Sequence, residues 1–138
     1  MRKLLPLLML AAGCRGEPER IVVQHILVSF AGATRSQNKR SKEDAEKLAK
    51  DVLRRARGGE SFEALMKAYS DDPGPGQYRM SNHGVATVPP PGEEFHPRNF
   101  MVPSFGDLGF KLEIDEIALA VYHPEKSPFG WHILKRVK

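Results

Sequence analysis

Two apolar runs, the first rich in β-branched residues and the second in aromatic ones, lie near the two ends of the chain, Ile-Val-Val-Gln-His-Ile-Leu-Val at 21–28 and Phe-Gly-Trp-His-Ile-Leu at 129–134, and each carries one histidine. Runs of this composition predict strands. An imidazole inside such a run must be hydrogen-bonded within the sheet or face a cleft. If the two strands lie side by side, His25 and His132 meet at the sheet centre. Between the runs the period changes. Ser41 stands three residues before Asp44 as an N-terminal cap, and Ala45, Leu48, Ala49, Val52, Leu53 and Ala56 recur at helical spacing. Gly58 and Gly59 close that helix, and Arg54, Arg55 and Arg57 suit the negative end of its dipole. A shorter helix is predicted from Ser61, with Phe62, Leu65, Met66 and Tyr69 on one side; Asp-Asp-Pro-Gly-Pro-Gly at 71–76 cannot continue it.

The pattern then weakens into a short strand or turn over 78–80 and a long surface loop over 81–98, broken by three consecutive prolines. Order returns at Pro103, which suits a helix's first turn, with Phe105, Leu108 and Leu112 on the inner face. A turn at 113–115 leads to a strand over 116–122, and the last strand runs over about 130–137. Strand, helix, helix, short strand, helix, strand, strand predicts an α+β domain in which helices and a small antiparallel sheet of about four strands share one core.

A length of 138 residues leaves room for one core, and 41% hydrophobic with 28% charged residues is the composition of a soluble globular domain. The start of the chain is different. Met1-Arg2-Lys3 followed by an apolar run to Ala12, too short to span a bilayer, reads as an export signal. It closes on Ala-Ala-Gly-Cys at 11–14, and Cys14 is the only cysteine, so no intramolecular disulfide forms. Small residues before that cysteine resemble a bacterial lipoprotein signal: 1–13 removed, Cys14 lipidated, 14–20 a short polar tether and 21–138 the folded domain. Arg15 is not the aspartate that holds resembling lipoproteins in the inner membrane, so the expected place is the outer membrane, facing the periplasm. Loss of Arg2 and Lys3 lowers Lys+Arg from 21 to 19 against 17 acids, a net charge of +2. The basic balance therefore belongs partly to the leader and gives nucleic-acid binding no support.

Several segments in order now resemble one family. His-Ile-Leu-Val at 25–28, Tyr-Ser-Asp-Asp-Pro at 69–73, Met-Val-Pro-Ser-Phe at 101–105 and Ser-Pro-Phe-Gly-Trp-His-Ile-Leu at 127–134 are similar to motifs of parvulin-type peptidyl-prolyl cis-trans isomerases. The resemblance covers nearly all of residues 20–138. It implies a domain that turns X-Pro bonds in exported proteins and assists their folding at the cell envelope. The alternative is a catalytically idle parvulin-like module that binds extended peptides as a chaperone or adaptor. By the same resemblance Met101 and Phe105 form a hollow for the proline ring, with Phe129 or a residue from Tyr78 to Met80 as the opposite wall. Asp72 matches the position at which the family holds an acid or a thiol beside the reacting bond. His25 and His132 match the paired family histidines; because the reaction transfers no proton, they are expected to form the hydrogen-bonded floor of the cleft and to tune Asp72.

No cofactor is implied, and His83, His96 and His123 show no metal-ligand spacing. Arg35, Lys39 and Arg40 sit in a polar loop after the first strand, expected to be solvated surface rather than a phosphate trap. The expected partners are unfolded or extended proline-containing polypeptides and, through Cys14, the membrane; the expected state is a monomer.

Overall fold

The computed structural model describes residues 16–85 and 95–138; the leader, Cys14 and the middle of the 81–98 loop lie outside them. Strand β1 (Arg20–Val28) is followed by helices α1 (Lys42–Arg57) and α2 (Phe62–Tyr69), then by strands β2 (Gln77–Ser81) and β3 (His96–Pro97). A 3-10 turn (Arg98–Phe100), helix α3 (Pro103–Gly109) and strands β4 (Ile117–Ala120) and β5 (Trp131–Arg136) complete the domain. Helix α1 forms for the reasons its composition suggests. The Ser41 side chain accepts from the Asp44 N–H, Glu43 and Asp44 occupy the first turn, and Ala45, Ala49, Val52 and Ala56 make one buried stripe. Ser61 caps α2 in the same way, and Phe62 and Leu65 face inward.

The strands assemble in the order β3-β2-β1-β5-β4, so the first and last strands are indeed central neighbours. β1 runs antiparallel to both β2 and β5, and β4 antiparallel to β5. The fifth strand departs from expectation: β3 pairs with β2 in parallel through Met80–His96 and Ser81–Pro97, which makes the sheet mixed rather than antiparallel. Two residues are too few to leave a period-2 signal, and a proline belongs on an edge because it cannot donate to the ladder. Two further limits differ. Leu112 is buried but lies beyond α3, which ends at Gly109, and β4 stops at Ala120, beyond which Tyr122 meets Phe30 edge-to-face at 4.8 Å.

Alternation along the strands divides the interior in two. Ile26, Val28, Trp131 and Ile133 point to the side covered by α1 and α2, whereas Ile21, Val23, Met80 and Leu134 point to the side covered by α3. His25 and His132 share the period of the second set. Both therefore emerge on the α3 side, where the short helix leaves one end of the sheet open.

Candidate active site

In the β1–β5 register His25 faces Leu134 and Leu27 faces His132, so the two imidazoles are diagonal neighbours on one face. Their rings stack at 5.5 Å, with the Nδ1 atoms 3.4 Å apart. Both are buried, at 4% and 3% exposure. Gly130 sets this approach: its φ is +141°, and an added Cβ would stand 2.3 Å from the Val28 carbonyl oxygen, so only glycine fits two residues before His132.

Asp72 arrives from the segment after α2. Ser70 leaves the helix in an extended conformation, its hydroxyl accepts from the Leu27 N–H at 3.1 Å, and the Asp71 N–H donates to the Leu27 carbonyl at 2.8 Å. These bonds fasten the segment along the end of β1. Asp72 Oδ2 then accepts from His25 Nε2 at 2.6 Å and from the Tyr78 hydroxyl at 2.7 Å, while Oδ1 accepts from the Gly74 N–H at 3.0 Å. The hydrogen bond from His25, followed by those from Tyr78 and Gly74, holds the carboxyl far below the usual carboxylate range, against the opposing effect of burial. Burial and the adjacent Asp72 charge push the Tyr78 phenol above its ordinary value, so it stays a neutral donor.

The hydrogen-bond chain assigns protons. A carboxylate only accepts, so His25 Nε2 carries the hydrogen of that bond, and the tautomer with its proton there offers Nδ1 as an acceptor. His132 Nδ1 is then the donor, which leaves His132 Nε2 as a lone pair; that atom is buried without a hydrogen-bond partner among the described residues. Burial pushes the His132 imidazole down to about 3 and keeps it neutral. Asp72, His25 and His132 are thus one polarised line with its negative end at the mouth.

Against this line lies the apolar hollow. Phe105 stands edge-on to His25, His132 and Tyr78, with ring centroids 5.1, 5.5 and 5.8 Å away. It forms the floor, and half-buried Met101 and Phe129 form walls. His25, Asp72, Tyr78, Met101, Phe105, Phe129 and His132 all line one cleft of about 890 Å³. Met80 does not. It shares a strand face with Tyr78, but two residues further along it passes beneath α3, fully buried, where a Cβ on Gly109 would meet its tip at 3.0 Å.

Asp71, one residue before the site carboxylate, holds the other wall. Its Oδ2 accepts from Arg40 at 2.7 Å and from the Ser29 N–H at 2.9 Å, and its Oδ1 accepts from Asn38 at 3.1 Å. The 29–40 loop is therefore a clamped side of the cleft rather than plain solvated surface. Arg40 is engaged internally, while Arg35, Ser36 and Asn38 line the cleft. No spacing pattern points to such a clamp; the one local sign was a pair of acids where the second helix ends.

The PPIC-type peptidyl-prolyl isomerase domain, as a family model, matches residues 7–137. The chain belongs to that family. Among curated relatives, the PPIC-type chain is 33% identical over 127 residues to the Chaperone SurA of Chromohalobacter salexigens, covering 89% of this chain and 24% of that protein. It is 38% identical over 90 residues to Foldase protein PrsA 4 of Bacillus cereus, covering 65% of this chain and 27% of that one. The chain spans about a quarter of the length of these relatives. All four segments that carried the parvulin resemblance border the PPIC-type cleft, through His25, Asp72, Met101 with Phe105, and Phe129 with His132.

Proposed function

We propose that the chain is a peptidyl-prolyl cis-trans isomerase that accelerates X-Pro rotation in extended segments of exported proteins and so assists their folding at the cell envelope. The observation that carries this reading is the juxtaposition of the ionised Asp72 carboxylate, at the end of the His25–His132 line, with the Met101–Phe105 hollow inside one cleft. Rotation about a peptide C–N bond faces a barrier of roughly 18–20 kcal/mol because the planar amide is stabilised by resonance that places negative charge on the carbonyl oxygen. No bond is broken. A catalyst need only favour the twisted amide, and each 1.36 kcal/mol of preference gives about tenfold in rate.

The hollow grips the proline ring, so rotation is confined to the acyl side of the bond. Asp72, fixed by three donors, presents negative charge beside the carbonyl oxygen and disfavours the charge-separated planar form. The apolar walls exclude the water that would stabilise it. His25, His132 and Tyr78 keep that charge in place without exchanging a proton with the peptide.

The leader over 1–13, lipidation of Cys14 and a tether over 14–20 would hold this domain at the outer membrane facing the periplasm. Labelled palmitate should enter the wild-type chain and not Cys14→Ser. A protease-coupled assay on a proline tetrapeptide tests the activity. Acceleration of the slow phase is expected; peptide binding with no acceleration would replace the isomerase with a binding module of the chaperone kind.

A further inference from the structure

Three large apolar side chains are conspicuously exposed among the described residues, Phe100, Ile114 and Val121, and of these only Phe100, at 79% exposure, lines the cleft. Single exposed hydrophobes are ordinary on a protein surface. This one differs because its backbone is held firmly in place. The turn that carries it closes through the Met101 N–H to the Arg98 carbonyl at 3.1 Å. Arg98 itself is largely buried, donating to Glu17 at 2.6 Å, to Asn82 Oδ1 at 2.9 Å and to Asp107 at 2.9 Å. Its guanidinium also lies 5.0 Å from the centre of the Phe110 ring. The segment before β1, the end of β2 and helix α3 therefore all meet at the residue that begins the turn. Phe100 is presented from a fixed base, one residue ahead of the hollow's Met101.

We infer that Phe100 is a specificity-determining residue that receives a large apolar side chain flanking the substrate proline. A cleft of about 890 Å³ is far larger than a proline ring fills, so the neighbouring residues of an extended peptide must lie along its rim. With the ring in the Met101–Phe105 hollow, Phe100 is the adjacent apolar surface. Leucine or phenylalanine there shields both partners from water, whereas glycine leaves Phe100 wet. The inference rests on the reading of the cleft as a prolyl-peptide site.

The test uses the whole chain, Phe100→Ala and Phe100→Leu on peptides that carry Gly, Leu or Phe immediately before or immediately after the proline. Both kcat/KM and the dissociation constants of the labelled peptides are measured. Wild type should prefer Leu or Phe to Gly at one of the two positions by about tenfold, which is about 1.4 kcal/mol. That ratio should shrink to within about twofold in Phe100→Ala and return in Phe100→Leu. An unchanged ratio in Phe100→Ala, by rate and by affinity, overturns the inference. Failure of wild type to accelerate any peptide, with the affinity ranking intact and dependent on Phe100, overturns the isomerase reading alone. Failure to bind any of them overturns both.

Discussion

Acidification from pH 7 to pH 5 should weaken the fold through His132, a group whose ordinary charge change falls in that range. Its ring is buried against Phe105 and His25 and is held at about 3, compared with 6.5 when free. The unfolded chain therefore binds a proton near pH 6.5 that the folded chain refuses until about pH 3. Stability from this group is complete above pH 6.5 and is lost as pH falls toward the folded value, by about 1.4 kcal/mol per unit. Between pH 7 and pH 5 the loss is about 2 kcal/mol, a large share of a typical folding stability of about 5–15 kcal/mol. Asp72 adds nothing in this window: its folded value is also lowered, but its stabilisation fades only below the free value of 3.8. Urea unfolding followed by the fluorescence of Trp131, the chain's one tryptophan and the direct neighbour of His132, measures the effect. His132→Gln keeps an N–H for His25 and cannot titrate, so it provides the control for every other group. Wild type should lose about 2 kcal/mol more than His132→Gln over this interval. Equal losses would refute the buried neutral imidazole.

Asp72→Ala should lower kcat/KM by at least about tenfold while leaving the chain folded, although unpairing His25 and Tyr78 removes roughly 2–4 kcal/mol of stability; the proline-peptide assay and urea unfolding check the two parts. With Asp72 ionised and Tyr78 neutral throughout, kcat should vary less than about twofold between pH 6 and 9; a bell-shaped profile in stopped-flow assays would mean that a proton does move. Asp71→Ala frees the loop that Arg40 and Asn38 hold, so limited proteolysis should cut within 31–40 and KM should rise more than kcat falls. Gly130→Ala forces a Cβ into the Val28 carbonyl, and thermal unfolding should show a loss of more than about 2 kcal/mol.

The features legible in sequence were those with a period or a local cap. β1 announces itself as a β-branched run and β5 as an aromatic and aliphatic one, α1 by its alanine stripe and Ser41, and the cleft by short motifs at 25–28, 69–73, 101–105 and 127–134. What escaped depends on partners far along the chain. A two-residue strand such as β3 has no period, and only Met80 and Ser81 across the ladder define it. Tyr78 and Met80 share a strand face, yet one reaches Asp72 and the other fills the space that Gly109 leaves beneath α3. Their separation depends on where a three-dimensional edge falls. Asp71 gathers Ser29, Asn38 and Arg40 from more than thirty positions upstream, a distance at which no spacing rule operates.

The placing of β1 beside β5 also governs when the molecule can exist. Within the domain β1 precedes both α1 and α2 and its main partner β5 follows them, and the Nδ1 atoms of His25 and His132 are joined across 107 positions. Helices α1 and α2 can form early, but the central pair of strands cannot close until residue 136 is available, which makes this a topology of high contact order that folds late. For a chain that leaves the cytoplasm as proposed, the delay keeps the polypeptide threadable during translocation. The proposed peptide cleft is then completed only once β5 has paired with β1.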